Sequence, residues 1–218
     1  MTDRRLGSAL LGSVGLFLAA YALAVAWYPG GTWFDRHSVG YDLLRNFVCD
    51  LTQPIALDGR PNPIGAFFGK ASMLALDAGL SFAFLGALRL GTPTRALART
   101  VRVAAAVSFA GIATVPLTPS LVLGALHTVA VLTGVIAGLF AGSFALALLR
   151  RSPFRRISAL GVSVFVVSFA DAGIYAWSIL SGTTPLALPM LQRVALVLLV
   201  LWLAAIGWAL FNRARLVR

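Results

Sequence analysis

The sequence predicts an all-α fold: a polytopic integral membrane bundle of six transmembrane helices, forming a single domain, with a short amphipathic helix in the first outer loop. Three observations predict it. Of the 218 residues, 59% are hydrophobic and only 11% charged, against roughly 45–50% and 25% in an ordinary soluble domain. The apolar residues gather into six runs of about 20 or more, the length a helix needs to cross a hydrocarbon core of roughly 30 Å. The arginines, finally, concentrate in alternate connections between those runs. Together these exclude a soluble globular domain and a disordered chain, and the single cysteine, Cys49, excludes a disulfide-stapled module.

The first run covers residues 6–28 behind the basic leader Met-Thr-Asp-Arg-Arg. Its apolar stretch of about 22 residues exceeds the 7–15 usual for a cleaved signal, so it is read as a first span. The remaining runs cover residues 63–90, 93–115, 119–150, 153–180 and 185–211. Asn62-Pro63, Thr92-Pro93, Thr118-Pro119, Ser152-Pro153 and Thr184-Pro185 open them. Each sets a capping side chain before a proline, whose missing N–H has no helical partner at the first position anyway. In the fourth run Gly134, Gly138 and Gly142 repeat every four residues, a small-residue pattern that lets helix backbones approach; packing within the chain is expected of it rather than dimerisation.

Charge sets the orientation. Thirteen arginines, among them Arg89, Arg95, Arg99, Arg102, Arg150, Arg151, Arg155 and Arg156, fall on one side with only Asp3 against them. The other side carries Arg36, Arg45 and Arg60 against Asp35, Asp42, Asp50 and Asp58. Basic residues in short loops mark the cytoplasmic face, so the expectation is a multi-pass protein of the cytoplasmic (inner) membrane with both termini in the cytoplasm. The net charge of +11 is thereby explained by topology, and no nucleic-acid partner is expected.

Residues 29–62 form the one long connection, and they are expected to be structured. Residues 40–52 read as a helix stopped by Pro54, with Leu43, Leu44, Phe47, Val48 and Leu51 on one face and Asp42, Arg45, Asn46, Cys49 and Asp50 on the other. Such a helix is either an interfacial brace whose charges meet water or a lid over an outward-facing pocket.

Four charged residues lie inside the spans: Lys70, Asp77, Asp171 and Arg193. A central charge costs roughly 2.5–3.5 kcal/mol unless paired or wet. At about 1.5 Å per residue, all four and His127 fall in the outer half or at the midplane. Lys70, Asp77 and Ser81 share one helical stripe, as do Ser168, Asp171, Tyr175 and Ser178. Asp171 paired with Lys70 or Arg193 is the expected contact. Two explanations stay open, structural interhelical pairs and a pocket for a polar group.

The motifs of familiar chemistry are missing. There is no glutamate and no HExxH, and His37 and His127 have no ligand partner at helical spacing, so neither a metal centre nor a haem or other cofactor is expected. No serine stands in a GxSxG turn.

Residues 41–51 read Tyr-Asp-Leu-Leu-Arg-Asn-Phe-Val-Cys-Asp-Leu, and five further spans follow them. This resembles the six-helix membrane family known as the domain of unknown function 998, itself similar to the Frag1/DRAM/Sfk1 group. The resemblance implies a first-loop motif Asn-x-x-Ser-Asp-Leu, mapping to Asn46, Cys49, Asp50 and Leu51, with cysteine in place of the serine. It also implies a histidine in helix four, here His127, and a Gln-Arg pair opening helix six, here Gln192 and Arg193. No activity comes with it.

The function expected from these features is binding or moving a lipid or small amphiphile in an outward-facing polar pocket, with membrane lipids as partners. The ligand-binding candidates are Asp42, Arg45, Asn46, Asp50, Lys70, Asp77, His127, Asp171, Tyr175, Gln192 and Arg193. The alternatives are a membrane-embedded enzyme acting on a lipid headgroup, with His127 and Asp171 as acid or base, and a structural or assembly protein.

Overall fold

A computed structural model of the chain describes residues 2–118 and 123–216, with side chains to residue 213. It is all-helical, with six long helices: α1 (Asp3–Trp27), α2 (Pro63–Leu90), α3 (Arg95–Thr114), α4 (Gly124–Arg150), α5 (Arg155–Ser181) and α6 (Ala187–Leu216). Each is long and apolar enough to cross a membrane.

At α2 the position is as expected, with Asn62 the N-cap and Pro63 the first helical residue, but the Asn62 side chain does not cap the helix and instead donates to the Gln53 carbonyl at 3.0 Å. The start shifts elsewhere. In α3 the cap is Thr94 rather than Thr92, its hydroxyl accepting from the Leu97 N–H at 3.2 Å. The threonine two residues later wins because its side chain reaches an otherwise unpaired donor. Helices α5 and α6 likewise begin two residues past their prolines, and the expected Pro119 start of α4 lies outside the described residues.

The second helix is the hub. It packs against α1, α3, α4 and α6, while α1 also packs on α6 and α5 lies against α4 and α6. Small residues set the closest crossings. A Cβ on Gly111 would stand 2.5 Å from the Gly134 backbone nitrogen, so α3 and α4 touch backbone to backbone there. Gly138 and Gly142 face Ser108 and Phe165, so the four-residue glycine repeat is spent within the chain. At the opposite ends of the sequence, Arg213 donates to Asp3 at 2.8 Å and ties α6 to α1.

The first connection is folded, as expected, but not as the expected helix over residues 40–52. A turn at residues 42–46 leads into a 3-10 helix of five residues, Val48–Thr52. The reason is local hydrogen bonding. Asp42 Oδ1 accepts from the Leu44 and Arg45 N–H groups, and the Asp42 N–H donates to Asn46 Oδ1 at 2.9 Å. These side chains offer the backbone a turn that competes with helix. The loop then settles on α2, where a Cβ on Gly69 would lie 2.5 Å from the Leu51 carbonyl oxygen.

Candidate functional site

The loop-one motif departs from the expected amphipathic arrangement at four positions, while Phe47 and Leu51 are buried as expected. Asn46 and Asp50 are 0% and 2% exposed, whereas Leu43 and Leu44 are 52% and 55% exposed. Without a continuous helix the polar residues no longer share a face. Asp42 and Arg45 stay at the surface as a loose ion pair at 3.8 Å, a contact of small worth in water.

Asn46 and Asp50 are the knot of the loop. The Asn46 amide donates to the Gly31 carbonyl at 2.8 Å and to Asp50 Oδ2 at 3.1 Å. Asp50 Oδ2 also accepts from the Phe47 N–H at 2.8 Å, and Oδ1 from the Trp33 indole at 3.2 Å. Burial raises the Asp50 carboxyl above its ordinary range, opposed by those hydrogen bonds and by the charge of Arg193. Burial likewise pushes the neighbouring Cys49 thiol up to about 12.

From below, α6 grips this knot. Gln192 Oε1 accepts from the Val48 N–H at 3.3 Å. Arg193 donates through Nε to the Leu43 carbonyl at 3.1 Å and through Nη2 to the Asn46 carbonyl at 2.6 Å, and Nη2 also meets the Tyr41 hydroxyl. The guanidinium stands over the Tyr41 ring, 5.4 Å from its centroid. Tyr41 packs edge-on against Tyr28 and Tyr21, its ring centroid 5.4 Å and 6.5 Å from theirs, and donates to the Phe47 carbonyl. Burial holds the Tyr41 phenol well above its usual range.

The charges lower in the spans are not paired as expected. Among the described residues the ion pairs are Arg45 with Asp42, Arg60 with Asp58 and Arg213 with Asp3, so Asp171 bonds neither Lys70 nor Arg193. Loop-one carbonyls and Tyr41 take the Nε and Nη2 donors of Arg193 and turn its guanidinium towards the loop. Its Nη1 is buried without a partner, as are both carboxylate oxygens of Asp77 and Oδ1 of Asp171. Asp77 is 2% exposed, while Lys70 is half-buried on the same helix. Tyr175 is exposed on α5.

His127 is held by the backbone of the preceding turn. It is buried, and its Nδ1 lies 2.7 Å from the Thr118 carbonyl oxygen. Since a carbonyl only accepts, Nδ1 carries the proton, and the ring clasps the connection between α3 and α4.

Sequence reasoning overlooked Trp33 and Tyr41 as members of this cluster, along with the carbonyls of Gly31 and Leu43. Tyr41 could have been found, because it opens the motif. The carbonyls carry no sequence signal. No family model, no curated protein and no solved structure matches the chain.

Proposed function

We propose that this is a protein of the cytoplasmic membrane that binds or moves a lipid or small amphiphile with a polar head, in a site within the spans beneath loop one. One observation carries the reading: polar atoms of Asp77, Asp171 and Arg193 are buried without a partner among the described residues. Each such group costs on the order of 1–3 kcal/mol, more when charged, and a ligand's polar head would supply what the protein does not. The arrangement is graded in depth. Counting along α2, α5 and α6, Lys70 and Arg193 stand roughly 9–11 Å from the outer helix ends, with Asp171 at roughly 15 Å and Asp77 at roughly 21 Å.

In this reading Asn46, Asp50 and Gln192 are framework, holding loop one as a cover, and the contacting groups are Arg193, Lys70, Asp171 and Asp77. The first-loop pattern at Asn46, Cys49 and Asp50, with His127 and the Gln192 and Arg193 pair, supports grouping the chain with the domain of unknown function 998. The test is to purify the protein in native lipid and compare bound amphiphiles with the bulk membrane by mass spectrometry. A species enriched in the wild type and lost in Asp77→Asn and Asp171→Asn, with helical content retained, supports the reading. Bound lipid of bulk composition, or enrichment unchanged in both variants, overturns it.

A further inference from the structure

A second feature lies at the other end of the bundle and does not rest on the reading above. Helices α1 and α3 both pack on α2 without packing extensively on one another, which leaves a wedge over the last turns of α2. The wedge is a cavity of about 460 Å³, within the range that holds a small ligand. Its lining includes Leu6 of α1, Leu85 and Leu88 of α2 and Pro93 of the connection, with Arg89 and Arg102 as its charged residues.

We propose that this cavity holds an anionic phospholipid, with an acyl chain along Leu85 and Leu88 and the headgroup phosphate on Arg89 and Arg102. Both arginines are exposed, at helix ends where a bilayer's headgroup region would lie, and a guanidinium fork matches phosphate oxygens in pairs. The N-terminus of α3, which opens at Arg95 beside the cavity, adds a partial positive charge of the same sense. The apolar lining selects the lipid over free phosphate, since an inorganic ion would leave the partly exposed Leu85 without apolar cover. Basic pockets between helices near the membrane surface bind anionic headgroups for these reasons.

The test titrates the full chain in detergent micelles with phosphatidylglycerol and with phosphatidylcholine of the same acyl chains, counting bound lipid by native mass spectrometry. The wild type should retain phosphatidylglycerol about tenfold or more over phosphatidylcholine. The double variant R89Q/R102Q should lose that preference, while R150Q/R151Q, which removes the same charge from another connection of that end, should keep it. Leu85→Trp, which fills the slot, should lower retention with both arginines in place. Equal retention of the two lipids by the wild type, or equal loss in R150Q/R151Q, overturns the proposal. So does displacement of the lipid by millimolar inorganic phosphate, which would make it an anion site without a chain. Helical content and a rise in unfolding temperature with phosphatidylglycerol, measured on every variant, separate lost binding from lost fold.

Discussion

Arg193 is the residue through which α6 holds loop one, and its replacement by methionine removes that hold while keeping the aliphatic stem. Three loop-one acceptors then lose their donor: the carbonyls of Leu43 and Asn46 and the hydroxyl of Tyr41. Hydrogen bonds from a charged group contribute about 1.5–3 kcal/mol each. They are not additive, and the Leu43 contact lies near the surface, so the docking of the loop should weaken by about 3 kcal/mol in all. Lysine keeps the charge but not the fork, and reaches one or two of the three acceptors; about half that loss is expected. The assay is amide hydrogen exchange. The Phe47 and Val48 N–H groups, bonded to Asp50 and Gln192, should exchange about 100-fold faster in Arg193→Met, since ~1.4 kcal/mol is a factor of ten. Amides of α3 and α4 should be unchanged. If Phe47 and Val48 keep their protection in Arg193→Met, the loop is held by packing on α2 alone and the role given to Arg193 is wrong.

Asp50→Asn should be more damaging than its size suggests, because an amide can accept from Asn46 and Phe47 on one side only by turning its NH₂ towards the Trp33 indole donor. A loss of about 1–3 kcal/mol is expected by thermal unfolding, and a Trp33→Phe background should relieve part of it. Cys49, with its thiol pushed up to about 12, should resist iodoacetamide at pH 8 and react once the protein is unfolded; rapid labelling of the folded protein at that pH would contradict its placement. Since Asp171 makes no ion pair with Lys70 among the described residues, the stability losses in Asp171→Asn and Lys70→Gln should add to within about 0.5 kcal/mol in protein stripped of bound amphiphile. Mutual rescue in the double variant would restore the pairing idea.

The spans were legible because their signal is long and redundant: twenty apolar residues in a row survive any local exception, and the six helices fall where the runs fall. Helix starts were less so. Thr92-Pro93 and Thr94 offer rival caps two residues apart, and only the backbone decides between them. Loop one misled for a definite reason. Its apolar residues do recur at helical spacing, but Asp42 and Asn46 carry side chains that close a turn on the backbone, and a periodicity count gives those bonds no weight. The buried charges show the same gap. Number and depth suggested pairs, yet Arg193 is met by main-chain carbonyls, acceptors that every residue carries and no sequence displays.

The contacts between loop one and α6 also impose an order of assembly. Arg193 and Gln192 stand 144 to 152 residues downstream of the partners they hold. At roughly 5–20 residues per second of synthesis, the first loop is made some 7–30 s before the last span can arrive to fasten it. Until then Asn46 and Asp50 have only their own loop to bond. Fastening of loop one therefore reports that the final helix has joined the bundle, and a chain cut short before residue 192 would present an unfastened loop to whatever inspects unfinished membrane proteins.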